Sequence, residues 1–376
     1  MKSNNSSLVI GRNHVWGFFF LVKLFYMWFS YYVLSNYLVL GDMDRYLSGL
    51  TFGKSNPFAS STYMMDNFTY PFSYILGKFL ANIPFVLMSF YGVYFSVSRL
   101  FISTRGLVVV LVILSFPSFG IWTSIASKEA VTVFFMGVLL GCLIDYYRGR
   151  LINYKLLLLI SIYLCILFKP QYMSGLLSLF VFLWLKRNFS LSGNGQLVVV
   201  LFFILFSFLG LFVFRHHIDA ISFEIPLHFR SDEMNSTREN IYWTNQFDVF
   251  RIAPYGMYIA FVGPTLDEAA GKFLQMLVLM ESYILIIFIS FLMAHSIYSD
   301  ILRGRFNIFA VTFLLVPMLW ILFVHYPFGL FNPGSAIRYR SGFYAYLVVS
   351  VFFVMTECYL RFRFVGNSGL KQLVRR

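Results

Sequence analysis

Charge is what this sequence has least of. Only 12% of its 376 residues are Asp, Glu, Lys or Arg, where a soluble domain of that size carries about a quarter. Acids are the scarcer sign, with 16 Asp and Glu against 29 Lys and Arg for a net charge of +13. The three cysteines, Cys142, Cys165 and Cys358, lie within apolar runs. They have neither metal-ligand spacing nor the even count of a disulfide framework, so they read as packing residues. No P-loop, dinucleotide fingerprint or His-Glu-x-x-His helix occurs, and no cofactor or metal is expected. No 20–50-residue repeat is visible, which gives no support to solenoids or simple repeat-built transporters.

The basic excess does not point to nucleic acid. A nucleic-acid footprint gathers its cations into one patch, whereas here Lys and Arg stand singly or in pairs between apolar stretches. Those stretches are the dominant feature: 59% of the chain is hydrophobic, including 47 Phe and 25 Tyr. Rings that are apolar on the body and, in Tyr, polar at the tip suit lipid-facing and interfacial surfaces. A membrane span needs about 20 mostly apolar residues. By that measure spans fall near 15–40, 71–98, 106–121, 129–147, 155–168, 172–185, 197–214, 274–298, 308–325 and 341–360. The polar start, Met1 to His14, is not expected to be a cleavable signal, because the apolar stretch after it is long enough to span.

The loops test this threading independently. Every second connection carries bases: Lys2 and Arg12; Arg99 and Arg105; Arg148, Arg150 and Lys155; Lys186 and Arg187; Arg303 and Arg305; and a tail over about 361–376 with Arg361, Arg363, Lys371, Arg375 and Arg376. The alternate loops hold nearly all the acids. The positive-inside rule then gives an all-α polytopic integral membrane protein of about ten spans, a single transmembrane domain over 1–376 with both termini cytoplasmic. Two external loops are long, about 41–70 and, between spans 7 and 8, about 215–273. The second holds an apolar stretch bounded by Pro254 and Pro264, too short to span and suited to a re-entrant or interfacial helix.

Charges that the insertion rules leave unexplained carry the functional question. Lys23, Lys78 and Glu281 are the main mid-span candidates, too few for a proton or ion relay. Four clusters lie at external helix ends. Asp42 and Asp44, followed by Arg45, pair two carboxylates directly after the first span, as a general base or cation site requires; a solvated helix end is the plain alternative. Ser127-Lys128-Glu129 opens the fourth span. N-capping explains Ser127 and Glu129, while Lys128, a cation at the positive end of a helix, needs another reason such as phosphate binding. Lys169 sits in a tight turn with Pro170 and Gln171, either binding an anion or snorkelling to lipid phosphates. Asn332-Pro333-Gly334-Ser335 leads into Arg338-Tyr339-Arg340, whose guanidinium groups suit a phosphate or pyrophosphate, or else anchor to ordinary headgroups. The long loop adds Arg215, His216, His217, Arg230, Arg238 and Arg251 with Tyr242 and Trp243; adjacent histidines make a weak metal site. Asn67-Phe68-Thr69 and Asn235-Ser236-Thr237 are glycosylation sequons.

In order and sidedness these pieces make a pattern that resembles the bacterial polysaccharide polymerases of the Wzy O-antigen type and, more distantly, GT-C membrane glycosyltransferases. The shared pattern runs from Asp42 and Asp44, through Pro117, Ser118, Lys128 and Glu129, to a large external loop ending in Phe261-Val262-Gly263-Pro264 with Asp267-Glu268. It closes on Arg338 and Tyr339 before the last span. One departure is that an Arg-x10-Gly pattern found in some members is not met at Arg251, whose following glycines are Gly256 and Gly263.

The resemblance implies growth of a glycan on undecaprenyl pyrophosphate at the periplasmic face of the bacterial inner membrane. Its partners would be the lipid-linked oligosaccharide, membrane lipids, a chain-length regulator and a flippase. A sugar hydroxyl on one unit attacks the anomeric carbon of another while the lipid pyrophosphate leaves. Such chemistry needs a base, for which Asp42 or Asp44 is expected. It also needs cations for the leaving group, for which Lys128, Lys169, Arg338 and Arg340 are expected. Arg45, Glu129, Arg251 and Tyr339 complete the expected substrate contacts. The alternatives are a GT-C transferase adding one sugar from a lipid monophosphate, a lipid-linked oligosaccharide flippase, or an accessory membrane subunit.

Overall fold

Helices satisfy their own backbone polar groups, which is why they are the ready form for isolated apolar segments. Every regular element among the described residues is a helix. The computed structural model describes residues 11–54, 56–229, 237–301, 313 and 315–366. Lys2, Arg230, Asn235, Ser236, Arg303, Arg305, the start of the stretch at 308–325 and residues 367–376 lie outside them, as do the side chains of Cys358, Arg361 and Arg363.

The N-terminal half comprises α1 (Arg12–Tyr32), α2 (Met43–Ser48), α3 (Ser61–Leu76), α4 (Ile83–Val97), α5 (Thr104–Ile113), α6 (Pro117–Trp122), α7 (Lys128–Tyr147), α8 (Lys155–Phe168) and α9 (Pro170–Asn188). The C-terminal half adds α10 (Gly193–Val213), α11 (Arg215–His228), α12 (Asp248–Arg251), α13 (Ala253–Val262), α14 (Leu266–Ala269), α15 (Phe273–Ile301), α16 (Val316–Phe331) and α17 (Pro333–Gly366). Among the described residues six segments are long and apolar enough to cross a membrane: Arg12–Asn36, Leu80–Val97, Lys128–Tyr147, Gly193–Val213, Phe273–Tyr298 and Pro333–Glu357. The remaining segments of the expected ten are shorter, broken or less apolar helices.

Helices α7 and α17 form the buried axis, and α4 lies along α7. All three run parallel, because their starts and ends pair in the same order. Asn82 Oδ1 accepts from the Ala126 amide at 2.7 Å where α4 and α7 begin, and Arg99 meets Asp145 at 2.6 Å where they end. Arg338 meets Glu129 at 3.3 Å near the start of α17, and Arg148 pairs with Glu357 further along it. Charge therefore gathers at two ends of the bundle, an Asp42 end and an Arg148 end. Between them Gly92 of α4 and Gly137 of α7 let the two backbones touch, so a Cβ on either would strike the other helix, the small-residue packing common between apolar helices. Gly92→Ala or Gly137→Ala is expected to cost about 1–3 kcal/mol through overpacking, read as a lower thermal midpoint in detergent. Gly210→Ala on α10, whose Cβ would meet nothing, should leave the midpoint unchanged.

Three expected segments differ from the reading of the sequence. The stretch at 41–70 is largely helical, holding α2 and most of α3. The chain breaks at Gly77, so the following span begins at Leu80 and Lys78 is exposed in the break, not within a span. The stretch at 106–121 divides into α5 and α6, leaving residues 123–127 buried but irregular. Buried carbonyls and amides outside regular structure need side-chain partners, and the missing partners are the unexplained polar residues of neighbouring helices. Lys23 donates to the Thr123 carbonyl at 2.7 Å and to its hydroxyl, and Ser89 donates to the same carbonyl at 2.6 Å. Glu281 accepts from the Ser118 amide at 2.9 Å. Lys23 and Glu281 thus serve the packing of an irregular segment.

The Pro254–Pro264 stretch is α13, held between α16, α17 and α15. Its exit is pinned by Arg238. This guanidinium reaches both Glu268 oxygens at 2.6 Å and the carbonyls of Gly263 at 2.6 Å, Leu330 at 2.9 Å and Gly329 at 3.2 Å. Glu268 also closes a capping box with Thr265 at the start of α14, satisfying amides the helix leaves free. Burial opposes the charge on Glu268, but Arg238 and the Thr265 amide outweigh it and hold the carboxyl below its usual range. The pin is therefore intact at neutral pH and weakens as pH falls through that pKa. Arg238→Ala is expected to speed proteolytic cleavage within residues 237–252 by about tenfold or more at pH 7, since hydrogen bonds to a charged group are worth about 1.5–3 kcal/mol.

Candidate functional site

Three segments far apart in sequence meet at the Asp42 end. The first is the turn after α1. Gly41 adopts φ +59°, and a Cβ there would lie 2.5 Å from Arg338 Nη1, so the turn needs glycine both for its backbone and for the room it leaves. Asp42 follows, and one turn of α2 later Tyr46 donates to Asp42 Oδ2 at 3.2 Å. The second segment is the start of α7. Ser127 caps it by accepting from the Ala130 amide at 3.1 Å, and Glu129 is buried in the first turn. The third is the start of α17, where Asn332 accepts from the Ser335 amide at 2.9 Å and Pro333 takes the first helical position. That cap and proline pairing fixes the entry of the helix and sets Arg338 over the other two segments.

Arg338 bridges two carboxylates. Its Nη2 lies 3.1 Å from Asp42 Oδ2 and its Nε 3.3 Å from Glu129 Oε1. Glu129 is 2% exposed and Asp42 40%, so one acid is interior and the other borders solvent. The three groups together carry one net negative charge. Burial, then the negative charges of Asp42 and Glu129, raise the Tyr46 hydroxyl well above its ordinary pKa, keeping it a neutral donor to Asp42. Lys128, on the same helix start, donates to Thr62 of α3 at 2.8 Å. That bond supplies the separate reason for a cation at a helix N-terminus.

A cavity adjoins this cluster. Lys169 lies in the turn between α8 and α9, with its ammonium 4.3 Å from the centre of the Tyr339 ring and 5.9 Å from that of Tyr172. It lines a cavity of about 70 Å³ together with Gln171, His325 and Phe328. Tyr339 lies between this cavity and the Asp42 cluster, with the Arg338 guanidinium 5.2 Å from the same ring. Burial pushes the Lys169 ammonium down to about 8, with Glu129 opposing the shift and Arg338 and Lys128 adding to it.

The other expected site residues lie elsewhere. Arg45 turns to Asp66 at 3.6 Å, a carboxylate that also accepts from Thr51. Asp44 is exposed on the first turn of α2 and makes no ion pair among the described residues. Arg340 is fully buried and bound to Glu281, Ser118, Ser282 and the Phe261 carbonyl, which leaves nothing for a ligand to reach. Arg251 pairs with Asp248 at 2.9 Å, its side chain 70% exposed, beside a separate core around Trp243 and Tyr326. His216 stands edge-on to Phe247, and among the described residues no three His, Cys, Asp or Glu side chains gather as a metal would need. Cys142 and Cys165 are buried and free.

Sequence reasoning missed Tyr46, Thr62, Asp66 and His325. Tyr46 had a signal, since it follows Asp42 by four and so shares its helix face. Asp66 had one too, a lone acid among Met65, Phe68 and Tyr70. Thr62 had none, for its role exists only once α3 meets α7. The chain matches no protein-family model, and no curated protein and no solved structure is similar to it at a significant level.

Proposed function

We propose that this chain spans the bacterial inner membrane about ten times and polymerises lipid-linked oligosaccharide units on the external face, at the Asp42 end of the bundle. On this reading the acceptor hydroxyl loses its proton to the Asp42 carboxylate as its oxygen attacks the anomeric carbon of the donor unit. The bond from that carbon to the lipid phosphate breaks, and the electron pair leaves with the phosphate. Arg338, itself held by Glu129, orients Asp42, and cations beside them take up charge on the leaving group. The lipid phosphate bond already stores the energy of transfer, so the reaction needs no nucleotide.

The observation that carries the reading is the meeting of Asp42, Glu129 and Arg338 from three distant segments, with Lys128 and Lys169 beside them. A buried carboxylate and a border carboxylate sharing one guanidinium make a base with a fixed orientation, which lipid anchoring alone does not require. The helices α8, α9 and α16 pack within the bundle, consistent with the larger number of spans, and the basic loops at the Arg148 end support reading the Asp42 end as external. A GT-C transferase adding one sugar from a lipid monophosphate is the second reading. Asp42, directly after the first span, favours it, since that class often carries an acidic motif at this place.

The test is a polymer ladder. A strain lacking the gene is expected to show single-repeat lipopolysaccharide without a ladder, restored by the wild-type chain. A normal ladder in the deletion strain would sink the polymerase reading, and a missing side-branch sugar would move the assignment to the single-sugar transferase.

A further inference from the structure

We propose that the cavity beside Lys169 is the seat of a phosphoryl group of the lipid-linked donor, so that leaving group and base lie on either side of Tyr339. This rests on the glycosyl-transfer reading above and divides its cations by role.

Most cations near this end are already committed. Arg338 is held by two carboxylates, Arg340 by Glu281 and a buried network, Arg45 by Asp66 and Lys128 by Thr62. The Lys169 ammonium makes neither an ion pair nor a hydrogen bond among the described residues. Its neighbours are the faces of two rings. The side chain is half-buried, and the cavity it borders contains no carboxylate to pair with it. Tyr172, Tyr339 and Gln171, whose side chains can donate, line it together with His325, Val324 and Phe328. A lone cation beside groups able to donate, with no carboxylate among them, suits an oxyanion.

The cavity, about 70 Å³ and partly open, has room for a phosphoryl group beside the ammonium. Lysine suits this place better than arginine, being a compact point charge that does not demand a planar partner. Its lowered pKa, about 8, leaves it mostly protonated at neutral pH, and a bound phosphate stabilises that proton further. The other charged or titratable groups facing it are Tyr172 on α9, His325 on α16, Arg338 and Tyr339 on α17, and Lys128 and Glu129 on α7.

The experiment is equilibrium binding of a polyprenyl monophosphate to the detergent-purified full chain, alongside inorganic phosphate and phosphatidylglycerol as separate probes. Lys169→Met is expected to weaken polyprenyl phosphate by about tenfold or more, the value of a charge-assisted contact. Lys169→Arg should recover part of the loss, and Lys155→Met, exposed at the other end, should change nothing. Inorganic phosphate should compete weakly and phosphatidylglycerol not at all. Independently of any variant, polyprenyl phosphate should protect Lys169 of the wild-type chain, but not Lys155, from an amine-acylating reagent at pH 8. Equal affinity in Lys169→Met, or acylation of Lys169 unaffected by polyprenyl phosphate, overturns the proposal. Equal protection by phosphatidylglycerol overturns it in favour of a general headgroup contact. A normal ladder in the deletion strain with binding intact removes the polymerase and keeps the site, whereas an absent ladder with binding unchanged in Lys169→Met does the reverse.

Discussion

Asp42→Asn is expected to abolish the polymer ladder while leaving the chain at wild-type levels in the membrane. The substitution keeps the shape of the side chain and its contact with Tyr46 but removes the charge that accepts the proton. Loss of a positioned general base costs about 10²–10⁴ in rate, far more than a ladder assay needs to register. Arg338 keeps its partner Glu129, 3.3 Å away, so the helix start it anchors does not lose its only acid. Asp44→Asn is the internal control. That residue sits two positions away but is exposed and outside the cluster, so its ladder should be normal. Arg338→Ala tests a different property, because it leaves Glu129 buried without a counter-charge, a change that destabilises as well as inactivates. Its membrane level should fall with its activity, and Arg338→Lys should recover the level before the ladder. A wild-type ladder from Asp42→Asn at wild-type abundance would remove Asp42 as base and leave Glu129 to be tested next.

How far the sequence revealed this arrangement depended on whether the determinant was local. Long apolar runs announced the helices at 12–36, 193–213 and 273–298, because length and hydropathy are properties of the segment itself. The capping residue Ser127 was legible for the same reason, acting on the Ala130 amide three positions on. The segment at 106–121 was not, since its apolar character matches that of a span and only the side chains of Lys23, Ser89, Asn82 and Glu281 allow it to break. Those partners come from other helices, and no local pattern reports them. Arg338 and Arg340 show the limit most plainly. Two positions apart on one helix, they face nearly opposite ways, since successive residues turn by about 100°. One looks to the Asp42 end and the other into the core. Sequence grouped them as a single anion site; the helix separates their roles.

Arg340 therefore leads to the second large effect, one of folding. Its guanidinium joins four elements, donating to the Phe261 carbonyl of α13 and the Ser282 hydroxyl of α15 at 2.6 Å, to Ser118 of α6 at 3.0 Å and to Glu281 at 3.4 Å. Glu281 in turn takes the amide and hydroxyl of Ser118, so the broken segment around α6 and the end of α13 both rest on this pair. Removing one member strands the other charge in the core, which costs about 3–5 kcal/mol. Arg340→Ala and Glu281→Ala are each expected to deplete the chain from the membrane and to lower its thermal midpoint in detergent, whatever the ladder shows. The paired change Arg340→Met with Glu281→Leu separates the causes. Replacing a buried ion pair by apolar groups of similar volume is often close to neutral, so the double variant should regain much of the lost abundance. Recovery should be incomplete, because the Phe261 carbonyl and the Ser118 amide then lack their partners. If the double variant polymerises as well as it folds, Arg340 is structural and the chemistry belongs to the Asp42 end alone. If it folds but makes no ladder, Arg340 acts on the substrate as well, and the separation of roles along α17 fails.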